Sequence, residues 1–272
     1  VSDIGLLLLA ELLVLGVVGG FLAGLLGVGG GMMMVPFLTL ILGNRGVPPG
    51  MAVKMAIATS MATILFTSMS SVRAHHGRGA VRWDLVRGLA PGIVLGGLAA
   101  GAGAFSIVKG QGLALLFSLF VGFSALQMLR DRKPAPARQM PGTAGQTAVG
   151  GVIGLVSGLV GAGGAFMSVP FMTWCNVPIR HAVGTSAALG FPIALASVVG
   201  YLISGWRLPA ALPGAFGWLY LPAVVVISAA SMTLAPIGAR VAHRTDTTRL
   251  KRFFALLLFG LAGWMLYTAT RG

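Results

Sequence analysis

Residues 16–38 read GVVGGFLAGLLGVGGGMMMVPFL, and residues 150–172 read GGVIGLVSGLVGAGGAFMSVPFM. Set against each other at an offset of 134, the two stretches agree at 12 of 23 positions. Shared glycine does not account for this, because Met33, Val35, Pro36 and Phe37 recur as Met167, Val169, Pro170 and Phe171. A second match follows at an offset of 126, where KMAIATS at 54–60 parallels RHAVGTS at 180–186. The offset falls by eight because the first copy has the longer connection, Gly43 to Gly50. The chain therefore carries two copies of one unit. Residues 1–129 form the first, 146–272 the second, and the polar stretch 130–145 is a linker expected on the cytoplasmic side.

Composition says where such a unit lives. Of 272 residues, 56% are hydrophobic, 42 are Gly and only 9% are charged, against about 25% charged in a globular protein. So few charges cannot clothe a surface in water, which excludes a soluble enzyme and a disordered chain. A lipid-facing exterior remains. The net charge of +14 lies in short segments between apolar runs, so membrane topology explains it and a nucleic-acid partner is not implied. The single Cys175 excludes an internal disulfide and a cysteine-based metal cluster. No basic segment precedes Ile4–Leu9, so the first apolar run reads as a retained span.

Each copy divides into five apolar segments, about 4–28, 31–43, 50–72, 85–108 and 112–129, then 146–162, 165–176, 179–203, 217–238 and 251–269. The second segment of each is too short for a bilayer core of about 30 Å. The glycine run before it must be irregular backbone shielded by protein or water. With ten crossings and the N-terminus outside, 14 of the 19 basic residues fall inside: four in 73–87, four in 130–138, Arg180, and five in 240–252. Fewer crossings lose that bias. Five crossings per copy is odd, so the copies face opposite ways and both termini lie outside. Trp83, Trp206, Trp218 and Tyr220 near span ends suit an aromatic belt. The expected fold is an all-α polytopic membrane protein, one membrane domain made of two inverted repeats with broken helices after the glycine motifs.

The repeated residues point to an anion. Pro49 and Pro178 stand where a helix begins, and Lys54 and Arg180 fall in its first two turns. There the dipole and free backbone N–H groups favour negative charge. Each has a small residue one turn deeper, Ala58 or Gly184, which leaves room beside the charge. The hydroxyls of Thr59, Ser60, Thr185 and Ser186 can donate to oxygens. Gly29, Gly30, Gly163 and Gly164 can turn unwound backbone toward a substrate. Plainer readings stand beside these. Lys54 and Arg180 can snorkel, the hydroxyls can bond their own helix, and the ridges Gly16-Gly20-Gly24 and Gly150-Gly154-Gly158 read as helix packing. His181 reads first as a loop-end histidine, with proton coupling as the alternative. Met32–Met34 face different ways on a helix and read as packing. Of five acids only Glu11 falls in a span. That leaves no carboxylate path for cations and no metal or cofactor site.

The segments Gly24-Leu-Leu-Gly-Val-Gly-Gly-Gly, Val35-Pro36-Phe37, Ala56-Ile-Ala-Thr59-Ser60, Gly158-Leu-Val-Gly-Ala-Gly-Gly and Ala182-Val-Gly-Thr185-Ser186 resemble the TauE/SafE sulfite-exporter family. The likeness runs from about residue 8 to 268 and includes Pro236-x-Gly238-Ala239. It implies a permease of the cell inner membrane that moves sulfite or small organosulfonates outward. It does not reach Lys54, whose role rests on internal symmetry alone. The resulting expectation is a secondary transporter for a small sulfur-containing anion, coupled to an ion that is a proton by default. A homodimer is compatible with it. A passive anion channel and a non-transporting membrane scaffold are the alternatives.

Overall fold

Apolar runs that lack water must bond their own backbone, and here they do so as helices. The computed structural model of the chain describes residues 5–26, 31–130, 138–242 and 247–271. The first half contains α1 (Leu6–Leu26), α2 (Gly31–Asn44), α3 (Pro49–His76) and α4 (Trp83–Leu98). Helix α4 continues through a π-helical stretch, Ala99–Ala104, into a last turn α5 (Phe105–Ile107), and α6 (Gly110–Arg130) follows. The second half contains α7 (Thr143–Val160), α8 (Ala165–Trp174) and α9 (Ile179–Gly205). A two-residue hairpin, β1 (Ala215–Phe216) with β2 (Leu219–Tyr220), then leads into α10 (Leu221–Ala242) and α11 (Thr247–Arg271).

Among the described residues six helical stretches are long and apolar enough to cross a bilayer: Pro49–His76, Trp83–Ile107, Gly110–Arg130, Thr143–Val160, Ile179–Gly205 and Arg252–Thr270. Shorter apolar helices cover Leu6–Leu22, Gly31–Asn44 and Leu221–Ala235. The second segments are short, as their spacing predicts, with 14 residues in α2 and 10 in α8. Leu95, Phe123, Ile203, Val225 and Leu256 point outward, the surface a lipid exterior needs. Of the six long helices, α3 and α9 are the most enclosed, and they pack on each other at the centre.

The small-residue ridges are packing devices, and they pack across the halves. Helix α1 lies on α10, and α7 lies on α4, so corresponding helices find corresponding partners in the opposite half. A Cβ at Gly92 or Gly96 would overlap the carbonyl of Thr147 or Gly151, and one at Gly150 or Gly154 would overlap the carbonyl of Leu89 or Ile93. On the other side, Gly16 and Gly20 sit against the backbone of Ile227 and Ser231, and Ser231 Oγ donates to the Gly16 carbonyl at 2.9 Å. Backbone contact this close needs the missing side chains.

The turn after the short helix is also repeated, although its residues differ. Val47 N–H donates to the Leu42 carbonyl and Val177 N–H to the Met172 carbonyl, at 3.2 and 3.0 Å. The residue before each valine is left-handed, Gly46 at φ +86° and Asn176 at φ +62°. This six-to-one bond around a left-handed residue ends a helix, and Gly and Asn are the residues that tolerate it. Pro48 (φ −53°) and Pro178 (φ −55°) then cap α3 and α9. These turns match at an offset of 130, between the 134 and 126 on either side. The α2–α3 hairpin is therefore longer by four residues in each arm, about one helical turn.

Two aromatic residues expected in the interfacial belt are turned inward instead. Trp83 and Trp206 are exposed, but Tyr220 is buried and Trp218 half-buried beneath the α9–α10 connection. The hairpin folds that connection back over α3, which span position alone does not reveal.

Gly96→Ala will lower the thermal unfolding midpoint in detergent, with an overpacking cost of about 1–3 kcal/mol. Gly122→Ala, at a position with nothing within 4 Å of an added Cβ, will leave the midpoint unchanged or raise it.

Candidate functional site

The starts of helix α4 and helix α10 leave backbone N–H groups that the helices themselves do not bond. The partners come from the opposite half. Thr59 on α3 accepts from the Tyr220 N–H at 3.0 Å, one residue before α10. Thr185 on α9 accepts from the N–H of Arg82, the cap of α4, also at 3.0 Å. Both threonines have no exposed surface. An accepting hydroxyl still has a proton to donate, and among the described residues neither proton has an acceptor.

The neighbouring serines serve backbone and side chain. Ser60 Oγ lies 3.3 Å from the Gly31 carbonyl and 3.4 Å from the Gly161 carbonyl, so it ties the start of α2 to the end of α7. Ser186 Oγ and Ser168 Oγ on α8 are 2.8 Å apart. Gly161 and Gly164 are left-handed, at φ +76° and +75°. They turn the chain between α7 and α8 and lay it in the central seam. Gly161 meets Val35 and Ile57, Gly163 faces Ile64, and Gly164 abuts Ile193. The α7–α8 connection thus meets Ser60 at Gly161 and α3 at Gly163, and Ser186 meets α8. Thr59 and Thr185 each bond a different connection of the opposite half, toward the two ends of the α3–α9 contact. The equivalent Gly29 and Gly30 lie outside the described residues.

The two basic residues are not brought together, and their settings differ. Lys54 is 8% exposed. Its Nζ stands 4.9 Å from the Trp218 ring centroid and 5.6 Å from that of Phe105, and 3.5 Å from the Ser106 carbonyl. Among the described residues no carboxylate faces it: Glu11 pairs with Arg45 at 2.9 Å, and Asp84 pairs with Arg82. Two aromatic faces at about 2 kcal/mol each when desolvated offset part of a burial cost of several kcal/mol. They do so without neutralising the charge or occupying the N–H donors. Tyr201 stacks on Phe105 at 4.5 Å and donates its hydroxyl to the Gly158 carbonyl.

Arg180 is exposed and bonds the Arg78 carbonyl at 2.6 Å. His181 Nδ1 lies 3.3 Å from the Ala80 carbonyl. The extra turn explains the difference, since Lys54 is six residues past its capping proline and Arg180 two past its own. The sequence repeat aligns these two residues relative to the Thr-Ser motif, but they differ in depth. Sequence reasoning missed Trp218, Phe105 and Ser168, whose positions depend on long-range folding.

Among the described residues no cluster of His, Cys, Asp or Glu could hold a metal. An apolar groove between α7 and α8, lined by Val152, Met167, Phe171 and Trp174 among others, opens elsewhere.

Comparison with known proteins fits this architecture. The family described as Sulfite exporter TauE/SafE matches residues 12–265. A protein named Probable membrane transporter protein from Haemophilus influenzae is 34% identical over 251 residues, covering 92% of this chain and 95% of its own. Another of that name from Methanocaldococcus jannaschii is 26% identical over 262 residues, covering 96% of each. The Probable membrane transporter protein YdhB of Bacillus subtilis is 27% identical over 199 residues, 69% of this chain and 76% of its own. No solved structure matches significantly. With the family match spanning nearly the whole chain, this protein belongs to the TauE/SafE sulfite exporter family.

Proposed function

We propose that the protein is a secondary transporter that exports a small sulfur-containing anion, sulfite or an organosulfonate such as sulfoacetate, across the inner membrane. Its halves face opposite ways and alternate access to the seam between α3 and α9, with a proton as the default coupling ion. The observation that carries this reading is Lys54, a buried ammonium held by rings instead of a carboxylate. Such a cation is stable enough to stay and free enough to take an anion. The hydroxyl protons of Thr59 toward one end and Thr185 toward the other, with Ser60, Ser186 and the backbone of Gly163 and Gly164, would replace the anion's hydration in turn as it passes. Arg180, exposed at its helix start, would draw anions in from water. His181 is the candidate coupling group. The complete burial of Thr59 and Thr185 supports a gated carrier over an open channel.

Proteoliposomes holding the purified protein will show saturable flux of sulfite or sulfoacetate, with taurine and sulfate as comparison solutes. Dissipating the proton gradient will stop uphill movement. Absence of flux for all four solutes refutes the substrate class, and conductance without saturation favours a channel.

Lys54→Gln will lower kcat/KM roughly ten- to hundred-fold, the loss expected for a hydrogen bond to a buried charge. Arg180→Gln will lower it only a few-fold, on the order of an exposed charge contact, and this deficit will vanish at high ionic strength. Equal, salt-independent deficits would contradict the assignment.

A further inference from the structure

Each half spans the seam with a pair of residues five apart, one basic and one threonine, and the pair grips the connection that leads into the opposite half's helix. On one side Lys54 lies under the Trp218 ring while Thr59 holds the Tyr220 N–H. On the other, Arg180 holds the Arg78 carbonyl while Thr185 holds the Arg82 N–H. His181 adds a contact to the Ala80 carbonyl on that second side. Both connections are closed down, with Leu219 and Ala80 buried beneath them at 5% and 2% exposure.

From this crossed arrangement we infer that Thr59 and Thr185 are positioning residues, each clamping shut one end of the seam by holding the backbone N–H of the residue just before the opposing half's helix. Opening either end requires breaking one of these bonds, and the other end is held by a bond from the other half. The two ends are thereby closed by independent latches of the same construction. The inference rests on the transport reading for its purpose, but the latches themselves can be tested without any substrate.

The test uses purified protein carrying Cys175→Ala and a single reporter, Ala80→Cys or Leu219→Cys, with the rate of thiol labelling as readout. Thr185→Val will speed labelling of the Ala80→Cys reporter roughly five-fold, the population shift for one net hydrogen bond, and leave the Leu219→Cys reporter unchanged. Thr59→Val will do the reverse. Serine at either position will restore the slow rate, since its hydroxyl accepts the same bond. Arg82→Pro deletes only the N–H side of one latch and leaves the Thr185 hydroxyl in place. Arg82 sits before the helix at φ −90°, near the range proline takes. It will reproduce the Thr185→Val effect, whereas Arg82→Ala, which loses the Asp84 ion pair but keeps the N–H, will not. If either valine variant speeds both reporters equally or neither, or if Arg82→Pro and Arg82→Ala behave alike, the latches are refuted. Should Arg82→Pro fail to fold, the valine and serine pairs decide the matter alone. A protein that labels as expected yet moves no sulfite keeps its latches and loses only the sulfite assignment.

Discussion

The N–H groups at a helix start have no partner within the helix, and each one shut off from water costs about 1–3 kcal/mol if it stays unbonded. In this protein the debt at α4 and α10 is settled by threonines of the opposite half. Ser60 reaches one carbonyl of each half, Gly31 of its own and Gly161 of the other. For the two N–H groups and the Gly161 carbonyl the partner comes from the opposite half. The seam between α3 and α9 consequently holds the largest share of the buried polar side chains among the described residues, and it is one of several contacts that join the halves.

That constraint accounts for the glycines as well. For Thr59 and Thr185 to reach backbone across the seam, the halves must approach closely, and backbone-to-backbone packing of α4 on α7 and of α1 on α10 provides this. The ridges and the threonines are two parts of one requirement, and both recur in the sequence at fixed offsets. This is why so much of the architecture was legible. A glycine every fourth residue, repeated in both halves, has few meanings besides close helix contact. The short α2 and α8 were equally readable, since a proline-containing run of that length cannot span a bilayer.

What was not legible depends on depth and direction. Trp218 looks like a belt residue because a tryptophan near a span end satisfies that pattern whichever way the chain then turns. Only the β1–β2 hairpin, whose register pairs Ala215 with Tyr220, folds it over Lys54. The turn pair Gly46 and Asn176 escaped notice for a different reason: two residue types meet the same left-handed need, so the repeat is conserved in geometry and not in letters. Without that anchor, the eight-residue shift in offset could be credited to the connection alone. The turn instead divides it between two helical arms.

The extra turn in each arm of the α2–α3 hairpin is what makes the two halves chemically unequal. It carries α3 past the point where α9 begins, so the basic residue at the matching place is enclosed in one half and solvated in the other. An exposed guanidinium is screened by water and salt and contributes little specific binding. An ammonium among rings stands in a medium of lower polarity, where a charge acts more strongly. Symmetric halves would put the two basic residues in equivalent settings. Lengthening one hairpin by a turn breaks that equality, enclosing Lys54 and leaving Arg180 at the surface, while both threonines keep the same kind of bond to the opposite half.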